Sequence, residues 1–302
     1  MTRHSRRACT AALLLAFVDC ASAQTTSAVA AIEITRDTFT AAAGSREYVV
    51  VRPGGAAPSA GRPMLVVLHG CVQTADDIAR GTRLNDAAAR DGFVVLYPEQ
   101  PATAHPQRCW NWFVPLQTTR GSGEVGLLAA MIDSIGRREG VNPRRIALVG
   151  MSAGAAMAAN LAVAYPDRFA ALAMHSGIAA GAATDVASAL RMMGQGAADG
   201  DALGDSALAA MGSRARPIPV IVLHGAADKV VSPANLRTVV AQWTRVNAKA
   251  RGNGAPVEQH LLEGVGHAWS GGSAAGRYTA PQGPDATGMI VEFFRRVGAI
   301  GS

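Results

Sequence analysis

A serine flanked by glycines follows one apolar run and precedes an alanine-rich one. Gly150, Ser152 and Gly154 form a G-x-S-x-G pattern between the segment RRIALVG and the small-residue segment that starts at Ala153. Between a strand and a helix, this pattern makes a sharp turn that exposes the serine hydroxyl at the end of the strand. A plain glycine-rich turn carries the same letters, but the strand-turn-helix context favours Ser152 as a nucleophile.

A serine hydroxyl is a weak nucleophile and needs a histidine base. Four histidines follow Ser152, namely His175, His224, His260 and His267. Hydrolases with this serine turn have the chain order serine, acid, histidine. His175 ends the strand directly after the nucleophile helix and would precede the acid. His224 sits inside a strand end, and His260 lies within the apolar alternation of VEQHLLEG. His267 lies in the glycine-rich segment EGVGHAWSGG, so we predict that it is the base.

The base needs a carboxylate to orient it. Asp228 comes just after the apolar segment IPVIVLHG and 39 residues before His267. It could instead cap the following helix, but Ser232 fits that role better. Four other carboxylates lack a strand to place them or follow the histidine: Asp199, Asp201, Asp205 and Asp285. We therefore predict Asp228 as the acid.

The segment LHGCVQ explains how the charge of a reaction intermediate would be stabilised. Attack on an ester puts negative charge on the carbonyl oxygen, and preorganised backbone N–H groups stabilise that charge. One donor is the residue after the nucleophile, Ala153, and the other lies in a loop after an earlier strand. Cys71 is the candidate for the second donor, and we expect His69 to brace this loop rather than to titrate.

Apolar segments that predict strands alternate with longer segments that predict helices. The strands are predicted at 46–52, 63–70, 92–98, 144–150, 169–177, 218–225 and 257–264, and the helices at about 75–90, 122–138, 153–165, 232–249 and 284–297. Several strands are apolar throughout, which is typical of a parallel sheet covered on both faces. The alternation predicts a doubly wound, mostly parallel α/β fold. Two long insertions, 99–121 and 178–216, are expected to carry loops that contact substrate.

The N-terminus has the features of a secretory signal peptide. Three arginines precede the apolar run TAALLLAFV, and Ala21-Ser22-Ala23 offers a small-residue cleavage site. The run is too short to span a bilayer, and Val18-Asp19 before Cys20 fits a lipid-attachment site poorly. We predict cleavage before Gln24 and a secreted or periplasmic protein, with residues 24–302 forming a single catalytic domain.

Composition argues against a nucleic-acid partner and gives no sign of a cofactor. The chain has 302 residues, 49% of them hydrophobic, and a net charge of +6, which falls to +4 when the three arginines and one aspartate of residues 1–23 are removed. Its basic residues occur singly or in pairs, with no long basic run or interleaved aromatics. Residues 121–126 match G-x-G-x-x-G, but no apolar strand precedes them. No metal-binding or phosphate-binding motif is present, so we predict no cofactor and no metal.

Two cysteines, Cys71 and Cys109, remain after removal of the signal peptide. In an exported protein they are a candidate disulfide, although two free thiols are the alternative. Such a bridge would tie the long loop 99–121 to the predicted oxyanion turn. It would also bring Trp110 and Trp112 near the active centre, where they and Trp269 could pack an acyl chain; ordinary core packing is the alternative.

Four segments resemble the polyhydroxybutyrate depolymerase family of secreted serine esterases, which is related to feruloyl and acetyl-xylan esterases. They are LVVLHGCVQTADDIA, RCWNWF, GMSAGAAMA and GHAWSGG. The resemblance covers roughly residues 35–297 and implies an α/β-hydrolase fold, a triad of Ser152, Asp228 and His267, and Cys71 as oxyanion donor. Members that degrade solid polymer usually continue into a linker and a separate substrate-binding domain. This sequence has neither, so we expect action on oligomers or amorphous polyester rather than on crystalline polymer.

Three functions are compatible with these features. The first is a secreted serine esterase that cleaves 3-hydroxyalkanoate polyester or its oligomers through an acyl-enzyme. The second is a feruloyl or acetyl-xylan esterase, and a broader short-chain ester hydrolase is a variant of it. The third is a catalytically silent binding protein, against which the complete set of triad residue types argues. The sequence does not fix the oligomeric state, and it suggests no membrane partner.

Overall fold

The computed structural model describes residues 1–2, 31–197 and 199–301. The predicted signal peptide from residue 3 onwards and its cleavage site lie outside the described residues. The strands are β1 Ile32–Ala41, β2 Gly44–Pro53, β3 Arg62–Leu68, β4 Val94–Pro98, β5 Val141–Met151, β6 Ala171–His175, β7 Val220–Gly225, β8 Val257–Leu262, β9 Trp269–Ser270 and β10 Thr279–Ala280. The helices are α1 Ala75–Thr82, α2 Leu84–Asp91, α3 Pro115–Thr118, α4 Gly123–Arg138, α5 Ala153–Ala164, α6 Val186–Gln195, α7 Gly200–Met211, α8 Ala234–Lys249 and α9 Ala286–Arg296.

Eight of these strands form one sheet in the order β1-β2-β4-β3-β5-β6-β7-β8. The strands from β4 to β8 run parallel, while β1 and β2 form an antiparallel hairpin whose second strand pairs with β4. A small parallel pair, β9 with β10, lies outside the sheet. The predicted doubly wound, mostly parallel α/β class is confirmed.

Helices cover both faces of the sheet, which explains the continuous apolar strands. In β3, Met64, Val66 and Leu68 belong to a core cluster with residues of α4, α5 and α8. Leu65 and Val67 point to the opposite face and pack with residues of α1, α2 and α9. Because successive side chains of a strand point to opposite faces, a strand between two helical layers must be apolar at every position.

Two details differ from the sequence prediction. The predicted helix 75–90 is two helices, because Arg83 adopts a left-handed conformation with φ of 58° between α1 and α2. The segment 46–52, predicted as an outer strand, lies in β2, which is not at the edge of the sheet. The edge strand is β1, most of whose residues are exposed. An exposed strand has no apolar pattern to reveal it, and it forms by pairing along its full length with β2.

The long insertion 178–216 is mostly helical, since it contains α6 and α7. Side chains begin both helices: Asp185 caps α6 in a capping box with Ser188, and Asp199 accepts a hydrogen bond from the Ala202 N–H. Within the described residues, no helix combines the length and the apolar character that a membrane crossing requires.

Candidate active site

Ser152 occupies a sharp turn between β5 and α5, near the middle of the sheet. Its backbone has φ of 56° and ψ of −123°, a conformation that is uncommon for a residue with a side chain. The flanking glycines are required by packing. A β-carbon on Gly154 would lie 2.1 Å from the Leu68 carbonyl oxygen, and one on Gly150 would lie 2.4 Å from the Gly154 carbonyl oxygen. The turn thus holds the Ser152 hydroxyl at the carboxyl end of the sheet.

The three residues predicted as a triad form one chain of hydrogen bonds. Ser152 Oγ lies 2.9 Å from His267 Nε2, and His267 Nδ1 lies 2.7 Å from Asp228 Oδ2. Since an ionised carboxylate only accepts hydrogen bonds, His267 Nδ1 carries a proton and donates it, which leaves Nε2 as an acceptor for the serine hydroxyl. The arrangement can therefore remove a proton from Ser152 as its oxygen attacks an electrophile.

The Asp228 carboxylate is buried, and both of its oxygens accept hydrogen bonds. Its Oδ1 accepts hydrogen bonds from the N–H groups of Val230 and Val231, both at 2.9 Å. Burial raises the pKa of Asp228, but hydrogen bonds from His224, His267 and the Val231 N–H outweigh it and hold the pKa well below its usual range. Asp228 therefore stays ionised and can stabilise an imidazolium at His267.

The loops that carry the acid and the base fit closely against each other. The Ala226 N–H donates to the Leu262 carbonyl and the Ala227 N–H donates to the Val265 carbonyl, both at 2.9 Å. A β-carbon on Gly225 would lie 2.3 Å from the Val265 carbonyl oxygen. These contacts fix the distance between the end of β7, which precedes Asp228, and the loop after β8, which carries His267.

Two of the other candidate histidines, His175 and His224, are buried in structural positions. His175 is buried and stacks on Trp269 with ring centroids 5.2 Å apart, and its Nε2 accepts a hydrogen bond from the Ser270 N–H at 3.3 Å. Burial lowers the pKa of His175 to about 3, so it is neutral. The buried His224 donates from Nε2 to the Val231 carbonyl at 2.9 Å and also lies 3.5 Å from Asp228 Oδ2. It thereby braces the turn that holds the acid.

The turn after β3 presents a backbone N–H beside the nucleophile. His69 Nε2 accepts a hydrogen bond from the Gln100 N–H at 3.0 Å, so its proton is on Nδ1 and is donated to the Gly70 carbonyl at 2.7 Å. Burial lowers the pKa of His69 and keeps it neutral. Because C=O and N–H of a trans peptide point in opposite directions, fixing the Gly70 carbonyl turns the Cys71 N–H away from His69.

The N–H groups of Cys71 and Ala153 donate no hydrogen bond to any residue in 31–197 or 199–301. Both residues lie next to Ser152: Cys71 lines the same cleft, and Ala153 is the first residue of α5. A β-carbon on Gly70 would lie 3.4 Å from the Ser152 β-carbon, so the Gly70–Cys71 peptide is in direct reach of the nucleophile. These two N–H groups are therefore the candidate donors of an oxyanion hole.

The predicted disulfide between Cys71 and Cys109 is present. Two hydrogen bonds connect the same loops: the Val72 N–H donates to the Gln107 carbonyl at 2.7 Å, and Trp110 Nε1 donates to the His69 carbonyl at 3.1 Å. The loop after β4 is thus fixed covalently and by hydrogen bonds to the turn that presents the Cys71 N–H.

The predicted substrate contacts of Trp110, Trp112 and Trp269 need correction. Their exposed fractions are 0%, 5% and 1%, and none of them lines the cleft at Ser152. Trp269 donates from Nε1 to the Thr287 hydroxyl at 3.0 Å. Each ring therefore contributes core packing, the alternative that the sequence left open, because large aromatic surfaces gain most when they are fully buried.

The cleft at Ser152 has a volume of about 220 Å³ and is mostly apolar. Sequence reasoning did not identify four of the residues that line it: Gln107, Met193, Val230 and Tyr278. Gln107 and Met193 do belong to the two insertions expected to contact substrate. The described residues that line the cleft include no aspartate, glutamate, lysine or arginine. The site is therefore suited to a neutral ester rather than to a charged substrate.

Comparisons with known proteins identify similar sequences and structures. The sequence profile of the family described as Esterase PHB depolymerase matches residues 46–265. Poly(3-hydroxyalkanoate) depolymerase C of Paucimonas lemoignei is 32% identical over 236 residues, which cover 69% of this chain and 55% of that protein. Feruloyl esterase B of Thermothelomyces thermophilus is 28% identical, with 68% of this chain and 78% of that protein covered.

The solved structure of an acetyl xylan esterase from Aspergillus awamori superimposes with a TM-score of 0.68 at 19% sequence identity. The match covers 88% of this chain and 99% of that one. At this identity the similarity shows the fold, and the predicted α/β-hydrolase architecture is confirmed. This chain spans little more than half the length of the Paucimonas depolymerase.

Proposed function

Because the chain belongs to the esterase PHB depolymerase family, we propose that it is a serine esterase that hydrolyses 3-hydroxyalkanoate polyester or its oligomers. The observation that carries the proposal is the continuous hydrogen-bond chain from Ser152 through His267 to Asp228. It lies next to the backbone N–H groups of Cys71 and Ala153, which have no hydrogen-bond acceptor among the residues that the structure describes. A nucleophile, a base, an ionised acid and an oxyanion hole are the parts that acyl transfer needs.

The reaction follows from the positions of these atoms. Ser152 Oγ attacks the ester carbonyl carbon while its proton passes to His267 Nε2, and the N–H groups of Cys71 and Ala153 stabilise the oxyanion. Collapse of the intermediate breaks the bond to the alcohol oxygen, which takes the proton from His267 Nε2. Water then attacks the acyl-Ser152 ester, again giving a proton to His267, and the carboxylic acid leaves as the serine regains its proton.

The choice of a hydroxyalkanoate ester is supported by the Paucimonas relative and by the neutral, mostly apolar cleft. A feruloyl ester is the second candidate. It is favoured by the feruloyl esterase relative and by Tyr278, whose ring lines the cleft and is 45% exposed, so that it could stack on an aromatic acyl group.

The two candidates are separated by measuring kcat/KM in parallel on hydroxybutyrate oligomers and on methyl ferulate. A preference of more than about tenfold for the oligomers is the expected result, and the opposite preference would move the assignment to feruloyl esters.

Ser152→Ala and His267→Ala should each abolish turnover on both substrates. Because triad members act as a unit, the double variant should lose little more than either single one; strictly additive losses would contradict the shared mechanism.

We also propose that the protein is exported and that residues 24–302 act as one catalytic domain. The Cys71–Cys109 disulfide supports export, since disulfides persist in oxidising compartments. Intact-mass measurement of protein recovered from the periplasm or the medium should give an N-terminus at Gln24. A mature protein that retains Met1 would contradict this proposal.

A further inference from the structure

Helix α6 carries an apolar strip that ends in the cleft. Val186 and Leu190 are 61% and 62% exposed, and Met193 lines the cleft at Ser152. Spacings of four and three residues place these three side chains, the α6 strip, along one side of the helix. Single exposed apolar residues are ordinary, but two in line with a residue of the catalytic cleft form a continuous surface.

The C-terminal end of α6 is fixed to the acid side of the site. The Ser232 N–H donates to the Met193 carbonyl at 2.7 Å, and Asn235 Nδ2 donates to the Met192 carbonyl at 2.9 Å. Val230, two residues after the acid, and Tyr278 also line the cleft and are 50% and 45% exposed. The cleft therefore opens between exposed apolar side chains, and the α6 strip extends that surface away from Ser152.

We propose that the α6 strip binds the repeat units of an aliphatic polyester chain next to the ester held at Ser152. The inference rests on the proposed function of this site and names the substrate class as an extended, uncharged chain rather than a small ester. Seven residues of helix span about 10 Å. A 3-hydroxybutyrate unit has four backbone bonds, so this length accommodates about two repeat units in extended form.

A polyester chain fits the strip better than a second copy of this protein does. A stable protein interface buries about 1,200 Å² or more, which two exposed side chains on one helix do not supply. A neutral polyester chain needs only apolar surface continuous with the position of its scissile bond. Such continuity is provided by Met193, which belongs to both the strip and the cleft.

The test compares a double variant of the strip with a matched control. Val186→Thr with Leu190→Gln makes the strip polar at nearly constant side-chain size. The control, Ile34→Thr with Leu116→Gln, makes the same kinds of change at exposed positions that do not line the cleft (53% and 74% exposed). Thermal unfolding should show that both variants fold like the parent protein.

For each protein, kcat/KM is measured on p-nitrophenyl acetate and on dispersed amorphous poly(3-hydroxybutyrate). Loss of two apolar contacts should lower the polymer-to-acetate ratio about tenfold in the strip variant and leave it unchanged in the control. An unchanged ratio in the strip variant, or a strip variant that differs from the parent in oligomeric state by analytical ultracentrifugation, overturns the proposal. Absence of turnover on both substrates in the parent protein would instead overturn the proposed function.

Discussion

Removal of the Cys71–Cys109 bridge should separate its contribution to stability from its contribution to the oxyanion turn. The double variant Cys71→Ser with Cys109→Ser leaves no free thiol at either position. The bridge closes a loop with a sequence separation of 38 residues. In the chain-entropy model, releasing a loop of that length from constraint stabilises the unfolded state by about 4 kcal/mol.

Urea unfolding measures this loss directly. With an m-value of about 3 kcal/mol/M, the midpoint should fall by more than about 1 M. Turnover of a soluble ester should fall by a much smaller factor, because two hydrogen bonds, one from the Val72 N–H and one from Trp110 Nε1, still hold the turn.

The control is the parent protein in reductant, which should unfold at the midpoint of the variant, while reductant should leave the variant unchanged. A midpoint within about 0.2 M of the parent, at an unchanged m-value, would refute the reasoning. So would a variant that retains its stability but loses all turnover, since the bridge would then position the oxyanion donor by itself.

Three further predictions concern the triad, the serine turn and a buried histidine. Asp228→Asn should lower kcat by about 10⁴-fold without unfolding the protein, because the amide would favour the wrong tautomer of the base; activity within tenfold of the parent would contradict this. Gly154→Ala should prevent soluble expression or sharply lower the melting temperature, since its β-carbon would meet the Leu68 carbonyl, whereas Gly266→Ala, where a β-carbon meets nothing within 4 Å, should leave the melting temperature unchanged. The lowered pKa of His175, about 3, means that the unfolded chain takes up a proton below pH 6.5 that the folded protein does not. This residue should therefore lower the free energy of unfolding by about 1.4 kcal/mol per pH unit as pH drops from 6.5 towards 3. Urea unfolding at pH 7 and pH 5 measures the effect: between these two pH values, the free energy of unfolding should fall less in His175→Gln than in the parent protein, by an amount equal to the uptake of about one proton.

Much of the reaction centre could be predicted because its residues are tied to strand ends. Ser152 and Asp228 follow apolar strands and His267 follows β8, and parallel strands bring their carboxyl ends to one edge of the sheet. The serine turn also needs glycines at fixed positions, so it leaves a mark in the sequence that does not depend on distant contacts. The structure brings these three side chains together within hydrogen-bonding distance.

The substrate side of the cleft could not be predicted in the same way. Trp110 and Trp269 have the residue type expected at a binding surface, yet both are buried, because a local pattern does not reveal which face of a loop packs inward. Met193 and Tyr278 reach the cleft only through the fold of the insertion and of the segment between β9 and β10. Tyr278 has a positive φ of 55°, which surrounding structure imposes and which a sequence does not show.

Covalent labelling tests the central claim, that Ser152 is the nucleophile of an acyl-transfer site, most directly. A fluorophosphonate should inactivate the parent protein as it adds one phosphonyl group per chain, and peptide mapping by mass spectrometry should locate that group on Ser152. Asp228→Asn should react far more slowly, because its base no longer takes the serine proton. Inactivation with the label on any other residue, or ester hydrolysis that persists in Ser152→Ala, would contradict the account.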